Sequence, residues 1–248
     1  MAQIIRKGFD LEKKYHTRRK RAIIGLLVGA AGLIVATVCG VIFSAALSRL
    51  TLLPMLVFVG GCLMASVEWR EATIVRTGLI GERAATGVVS RLPDTYTVFT
   101  GLQVAYEDKQ CELDLTVVGP SGVFVIEVKN HNGTIRGDRE AHNWKQFKVG
   151  RKGTPYQKTL HSPIRQVRTH VYCLAGILEM RDIRVFVKDG VFFANPATVV
   201  ELAGNSTRTP VFVAREDGGR ELLRYLLQGD GQLSPELCAR VIQRLKAL

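Results

Sequence analysis

The chain has 248 residues, which leaves room for one medium-sized domain plus additional segments. Its formal net charge is +12, and a basic protein favours polyanionic partners such as nucleic acid or anionic lipid. The five cysteines form no CxxC pair and the five histidines show no HExxH spacing, which argues against a zinc site or a disulfide scaffold.

The first 21 residues are strongly basic. They contain eight lysines and arginines against only two acids, Asp10 and Glu12, and so carry a charge of +6. We interpret residues 1–21 as a cytoplasmic tail that sets membrane topology and contacts anionic lipid. DNA binding by this tail is the less favoured alternative.

Two uncharged apolar stretches follow the tail. Ala22 to Ser48 exceeds the ~20 residues that cross a hydrocarbon core, and Leu50 to Val67 lies near the lower limit of ~17. Only Arg49 separates them, and Glu68 to Glu71 ends the second stretch. The pattern predicts two transmembrane helices within residues 22–67. A cleaved signal peptide or a buried soluble hairpin fits the length and the uniform apolarity less well.

The distribution of basic residues predicts the orientation of this hairpin. Because Lys and Arg are concentrated before the first span, the N-terminus is expected in the cytoplasm. Two spans return the chain to the same side, so the remainder should also be cytoplasmic. We therefore expect a multi-pass protein of a bacterial-type inner membrane.

The rest of the chain has the pattern of an α/β domain. Strands are predicted where β-branched and aromatic residues lie between turn signals, and helices where apolar residues recur at helical spacing. The predicted helices are Thr77–Ser90, Ser162–Glu179, Arg220–Gln228 and Ser234–Ala247. The predicted strands are Thr95–Val104, Cys111–Val118, Val123–Lys129, Thr134–Arg136, Trp144–Val149, Val185–Val187, Val191–Phe193 and Val211–Val213.

Charged residues end two neighbouring predicted strands. Glu127 and Lys129 point to the same face of their strand because side chains alternate, and Asp114 lies thirteen residues before Glu127. Buried charges are costly unless they pair or bind something. Taken alone, the Glu-x-Lys pair is better explained as an ion pair, but with Asp114 it is also the arrangement of a metal-dependent phosphodiesterase.

The region from Thr77 to about Met180 resembles the nuclease-related (NERD) domain. The motifs that carry the resemblance are Gly81-Glu82, Asp114, the phrase from Val118 to Asn130, Gly133, Trp144, Ser162-Pro163 and Gln166. The resemblance implies a restriction-endonuclease-like fold, a mixed sheet flanked by helices, over residues 77–180. Residues 181–248 would complete or extend the same domain. Leu115-Thr116 departs from the family, which often has a histidine after the acid.

The resemblance also implies a catalytic metal site. Asp114 and Glu127 would bind Mg²⁺ or Mn²⁺, with the Val128 carbonyl as a third ligand. Lys129 would orient or deprotonate the attacking water, or neutralise the developing charge. The sequence does not choose among these three roles.

Two further site residues follow from the resemblance. Glu82 would extend from the first helix toward the acids, and Gln166 would position groups from the later helix. Glu82 also has a simpler explanation, as an exposed acid in the first turn that suits the helix dipole. Glu112 shares a face with Asp114 and is an alternative extra ligand, although a solvated strand residue is the favoured interpretation.

The expected substrate is nucleic acid, DNA rather than RNA, bound without sequence specificity. Candidate phosphate contacts flank the Ser162–Glu179 helix: Arg151, Lys152, Lys158, Arg165 and Arg168. A solvated helix face is the alternative explanation for these basic residues. No spacing typical of a sequence-reading motif occurs, and no protein partner is indicated. The alternative function is a catalytically inactive module of the same fold that binds nucleic acid or protein at the membrane.

Overall fold

The computed structural model describes residues 1–7, 11–42, 51–150, 153–205, 208–215, 217–228 and 233–248. Arg49 and the end of the first apolar stretch lie outside the described residues, as do Arg151 and Lys152. The chain divides into a helical unit, Phe9–Leu79, and an α/β unit formed by Met1–Gly8 and Ile80–Leu248.

Two long helices make up the helical unit. Helix α1 covers Leu11–Ile42 and helix α2 begins at Leu52 and runs to Val89, with its last turns inside the α/β unit. By length and composition both are able to cross a membrane. Most of their large apolar side chains are exposed, which differs from the core helices of a soluble protein.

The two helices approach each other closely along small residues. A Cβ added to Gly61 on α2 would lie 2.6 Å from both the Gly25 carbonyl oxygen and the Gly29 nitrogen on α1. Gly25 and Gly29 are four residues apart, so they share one face of α1. Small residues at this spacing let helix backbones meet, as in many membrane helix pairs.

Both helices extend beyond the apolar stretches. The segment Glu68–Glu71 was expected to end the second span, and a separate helix was expected from Thr77 to Ser90. The expectation of a separate helix is wrong, because α2 continues without a break to Val89. The end of the membrane span at Glu68–Glu71 remains a prediction. Glu and Arg are good helix formers, so the end of the apolar stretch changes the helix environment without stopping the helix.

The N-terminal segment is not a simple tail. Gln3–Arg6 form strand β1, which pairs in parallel with residues 97–100 of the α/β unit, and α1 already begins at Leu11. The two isoleucines of β1 are half-buried. This strand was hard to predict from the sequence, because it has only two adjacent isoleucines and basic residues follow them directly.

The α/β unit contains two mixed sheets with helices packed against them. The six-stranded sheet has the order β1-β2-β3-β4-β8-β10, and the four-stranded sheet has the order β7-β6-β5-β9. The remaining strands are β2 (Thr97–Tyr106), β3 (Lys109–Gly119), β4 (Gly122–Lys129), β5 (Gly133–Asp138), β6 (Asn143–Val149), β7 (Pro155–His161), β8 (Val187–Phe193), β9 (Thr198–Ala203) and β10 (Val211–Val213). The helices are α3 (Pro163–Glu179), α4 (Arg220–Leu227) and α5 (Pro235–Lys246).

The larger sheet is buried on both faces, and its central strand β4 explains the apolar run in the sequence. Val123 and Val125 belong to a core that includes α3 and α5, while Phe124 and Ile126 pack with the end of α2 and with α4. The predicted α/β class, with mixed sheet flanked by helices and preceded by two long apolar helices, is confirmed.

Several strands differ from the sequence expectation. Strands β7 and β9 were not predicted, and one strand, β8, replaces the two expected at Val185–Val187 and Val191–Phe193. Asp189 and Gly190, which resemble a turn, pair in register with Val125 and Ile126 of β4. The Asp189 carboxylate accepts a hydrogen bond from the Thr209 hydroxyl at 2.7 Å, so the acid is tolerated in the strand.

Helix α3 begins where the sequence predicted. Ser162 is fully buried and caps the helix by accepting a hydrogen bond from the Arg165 backbone N–H, and Pro163 occupies the first turn. The Ser162 N–H also donates to the His142 carbonyl at 2.8 Å. The start of α3 is therefore fixed to the segment before β6.

We predict opposite effects for alanine at two adjacent glycines of α2. Gly61→Ala should destabilise the helix pair by about 1–3 kcal/mol, because its Cβ would meet the α1 backbone. Gly60→Ala is the matched control, since a Cβ there meets nothing within 4 Å and alanine improves helix propensity. Unfolding of the detergent-solubilised chain by SDS, followed by circular dichroism, measures both. Equal effects of the two changes would contradict the close packing.

Candidate active site

Asp114 and Glu127 lie at one end of the β3–β4 ladder, directly beyond its last pair. The antiparallel register runs from Gly119 opposite Gly122 to Leu115 opposite Ile126, and Asp114 and Glu127 are the next residues of the two strands. There the backbone pairing ends, and the Asp114 carboxylate accepts a hydrogen bond from the Val128 N–H at 2.7 Å. The Asp114 side chain thus accepts the hydrogen bond that a backbone carbonyl of β3 would accept if the strand pairing continued.

Lys129 joins the strand to helix α3. Its Nζ donates to Glu127 Oε1 at 2.6 Å and to Gln166 Oε1 at 2.9 Å. The side chains of Glu127, Lys129 and Gln166 therefore meet at the end of β4. Their catalytic roles stay predictions.

Glu127 is almost fully buried, with 1% of its side chain exposed, and a histidine lies beside it. His170 Nδ1 is 3.2 Å from Glu127 Oε2, and both atoms are shielded from solvent. This contact was not predicted from the sequence, where the histidines were assessed only by the absence of HExxH spacing. The available signal was spacing, because His170 follows Gln166 by one helical turn on the same face of α3.

Glu82 reaches the site through a close approach of backbone segments. Gly81 lies in the last turns of α2, and a Cβ there would be 2.6 Å from the Asn130 side chain, directly after β4. The missing side chain lets α2 pack against the end of β4. Glu82, the next residue, is then close enough to raise the pKa of Asp114.

The acids of the site repel one another. Burial raises the pKa of Asp114 well above its usual value, and the charge of Glu127 raises it further, while the Val128 N–H and Lys129 act in the opposite direction. Burial and the charge of Glu112 raise the pKa of Glu82 to about 7. Like-charged carboxylates held together in a half-buried place are typical of functional sites.

The residues expected to bind a metal ion offer only oxygen ligands. Among the described residues, no group of three or more His, Cys, Asp or Glu side chains has metal-binding geometry. The candidate ligand set is instead two carboxylates, Asp114 and Glu127, with the Val128 carbonyl from the backbone. Oxygen ligands of this kind suit Mg²⁺, which retains several waters.

The candidate phosphate contacts divide into separate groups. Arg168 is held by a bidentate ion pair with Glu140, whose shorter contact is 2.8 Å, and its Nε donates to Thr209. Arg165 lines a cleft on the α3 surface that Arg168 also lines, so these two arginines form one group. Lys158 lies on β7, whose strand partner β6 carries Lys148.

A known protein family matches the region that contains the candidate site residues. The family model described as "Nuclease-related domain" matches residues 77–194. Residues 77–194 form a nuclease-related domain. The match ends later than the expected boundary at 180 and so includes β8, the parallel neighbour of β4 in the sheet. Without β8 the strand that carries Glu127 and Lys129 would have an open edge.

One curated relative is an uncharacterized protein of Bacillus anthracis. It is 31% identical over 93 residues, which are 37% of this chain and 43% of the relative. The matched segment thus spans less than half of the relative's length. No solved structure matches the chain significantly.

The raised pKa of Glu82 predicts a stability that falls as pH rises. The unfolded carboxyl ionises near 4.5 and the folded one near 7, so between these values the unfolded state loses its proton first and is favoured. The loss should start near pH 4.5 and level off above pH 7. Glu82→Gln removes the ionisation, so its stability relative to wild type should increase through this window.

Denaturant unfolding of the metal-free chain at about pH 4.5, 6 and 8 measures the difference between wild type and Glu82→Gln. Asp108→Asn is the control, because the Asp108 side chain is 88% exposed on a turn. A difference between wild type and Glu82→Gln that stays constant across the three conditions would contradict the buried, repelled state of Glu82.

Proposed function

We propose that this chain is a membrane-anchored nuclease that hydrolyses phosphodiester bonds of nucleic acid, DNA rather than RNA, with Mg²⁺ or Mn²⁺ as its metal. The observation that carries the proposal is the meeting of Asp114, Glu127 and Lys129 at the open end of the β3–β4 ladder. The nuclease-related domain around them supports the same chemistry.

The ligand chemistry of the site fits a divalent cation. Asp114 and Glu127 would hold it, with the Val128 carbonyl as a third ligand. Burial and carboxylate repulsion raise the pKa of Asp114, and a bound cation is the partner that relieves such repulsion. When bound, Mg²⁺ would lower the pKa of a coordinated water and offset charge on the phosphate.

Lys129 suits an electrostatic role better than that of a base. An ammonium group has three N–H donors, and Glu127 and Gln166 accept two of them. The third can donate to a phosphate oxygen or to the attacking water. Gln166 would then keep the ammonium aimed at the substrate, and His170 would hold the far oxygen of Glu127.

The helical unit supports the membrane anchor. Arg18 precedes the apolar part of α1 and Glu68 follows the apolar part of α2, and their side chains form an ion pair at 3.0 Å. The polar ends of both apolar stretches therefore lie at the same end of the helix pair. With the basic residues before α1, this favours a cytoplasmic position for that end, with anionic lipid near it and the nuclease domain in the cytoplasm.

Nicking of supercoiled plasmid by the full chain in lipid nanodiscs tests the proposal. We predict cleavage that requires Mg²⁺ or Mn²⁺ and is abolished by EDTA. Asp114→Asn and Lys129→Ala should each lower the rate by about 100-fold or more, because each removes charge from the reacting centre. Asp108→Asn, which alters an exposed acid away from the site, should cleave like wild type.

Cleavage that survives both Asp114→Asn and Lys129→Ala would rule out this site. Circular dichroism must show that both variants fold, because removal of Lys129 leaves the buried Glu127 without its ammonium partner. A wild-type chain that binds nucleic acid without metal-dependent cleavage would favour the alternative function, a binding module at the membrane.

A further inference from the structure

One face of the β6–β7 hairpin carries two lysines and an exposed aromatic ring. The register pairs Gln146 with Lys158 and Lys148 with Tyr156. Directly opposed residues of antiparallel strands share a face, so these four side chains project from the same side of the hairpin. Lys145, which alternates with them along β6, projects from the other side.

At its inner end this face of the hairpin joins the hydrophobic core. Next to the core it contacts the loop that follows Lys129 of the candidate active site. Trp144 and its strand partner Leu160 pack in the core at its inner end. Gln146 then donates a hydrogen bond to the Asn132 carbonyl at 2.8 Å. Asn132 follows Lys129 by three residues, so the hairpin face continues outward from the site.

The charges along this face are positive and concentrated. Burial lowers the pKa of His131 to about 4, and the charges of Lys129, Lys148 and Lys158 add to the effect, so this imidazole is neutral near pH 7. Burial and the nearby charge of Lys158 also lower the pKa of Lys148. Within the described part of the chain, neither Lys148 nor Lys158 forms an ion pair with an acid. Adjacent cations without acidic partners favour binding of a polyanion.

An apolar cleft borders Lys148 and Tyr156 at the edge of this face. It has a volume of about 470 Å³ and is lined by Phe147, Lys148, Val149, Pro155 and Tyr156, among others. Tyr156 is 44% exposed and lies on the face that carries the two lysines, so its ring is available to a ligand there. Val149 is 72% exposed but alternates with Lys148, so it projects from the other side of β6. Phosphate-binding lysines beside an exposed aromatic ring are the combination that binds unpaired nucleotides.

We propose that the β6–β7 face binds a single strand of nucleic acid, with Lys148 and Lys158 on its phosphates and Tyr156 stacked on a base, and guides the strand to Lys129. The proposal rests on the nuclease function proposed above and adds the surface that holds the substrate. A single strand is favoured over a duplex because the bases of a duplex are stacked inside it and are not available to Tyr156.

Fluorescence anisotropy with a labelled single-stranded oligonucleotide tests this surface. The full chain is kept in nanodiscs of uncharged lipid, and EDTA prevents hydrolysis. We predict that Lys148→Ala with Lys158→Ala weakens binding at least 10-fold at low salt. The slope of log affinity against log salt should fall by roughly 1.4, or about 0.7 for each of two phosphate contacts.

Three single variants separate charge, stacking and position. Tyr156→Ala should weaken binding of the single strand by about 5-fold or more, and Tyr156→Phe should retain it, because stacking needs the ring and not the hydroxyl. Lys145→Ala, on the opposite side of β6, should bind like wild type. Each variant is first compared with wild type by circular dichroism.

Several results would overturn the inference. Wild-type affinity for the oligonucleotide in the double lysine variant would overturn it. If plasmid cleavage then still depended on Asp114, the proposed nuclease function would stand without this surface. Tighter binding of duplex than of single strand, with no effect of Tyr156→Ala, would overturn the single-strand assignment. A lysine pair needed only for binding short-chain phosphatidylglycerol would identify a lipid contact instead. A wild-type chain that neither binds nor cleaves nucleic acid would end both proposals.

Discussion

Glu127 is an ionisable side chain placed beside the core of the sheet, and the surrounding structure is arranged to keep it there. Taking a carboxylate out of water costs several kcal/mol unless partners replace the lost hydration. Lys129 donates a hydrogen bond to one of its oxygens, and His170 Nδ1 lies 3.2 Å from the other without a hydrogen bond between them. These partners come from β4 itself and from α3, so the position of α3 relative to β4 decides whether the acid can be buried.

The start of α3 is therefore as important to the site as the charged strand. Ser162 caps the helix and binds the segment before β6, so that Gln166 and His170 face β4 one helical turn apart. The smaller sheet is connected to the same point, because α3 directly follows β7. One helix thus links the buried acid to the hairpin that carries Lys148 and Lys158.

The sequence indicated the parts of the site that depend on local pattern. Glu127 and Lys129 follow an apolar run, and alternation along the strand is enough to place them on one face. Placing Asp114 near Glu127 also required the position of the β3–β4 turn, and Gly119 to Gly122 mark a tight turn there. His170 could not be located, because nothing local states which residue of β4 a given turn of α3 will meet.

Strands β7 and β1 were not predicted, and the physical reason is the same for both. β7 is mostly polar and exposed, and it is a strand only because β6 supplies a register for it. β1 has four residues and depends on β2, which lies about ninety residues later. In both cases the partner determines the structure, and a pairing over such a separation leaves no periodic signal in the short segment. The uninterrupted course of α2 was obscured differently, by charged residues that are also good helix formers.

The most direct measurement of the central claim is calorimetric titration of Mn²⁺ into the full chain near pH 6.5, in buffers of different ionisation enthalpy. Repelling carboxylates with raised pKa values should release protons when a cation binds between them. We expect saturable binding with proton release in the wild type, and loss of both in Asp114→Asn. Saturable binding that is unchanged in Asp114→Asn, or no binding at all, would contradict a metal site at the end of the β3–β4 ladder.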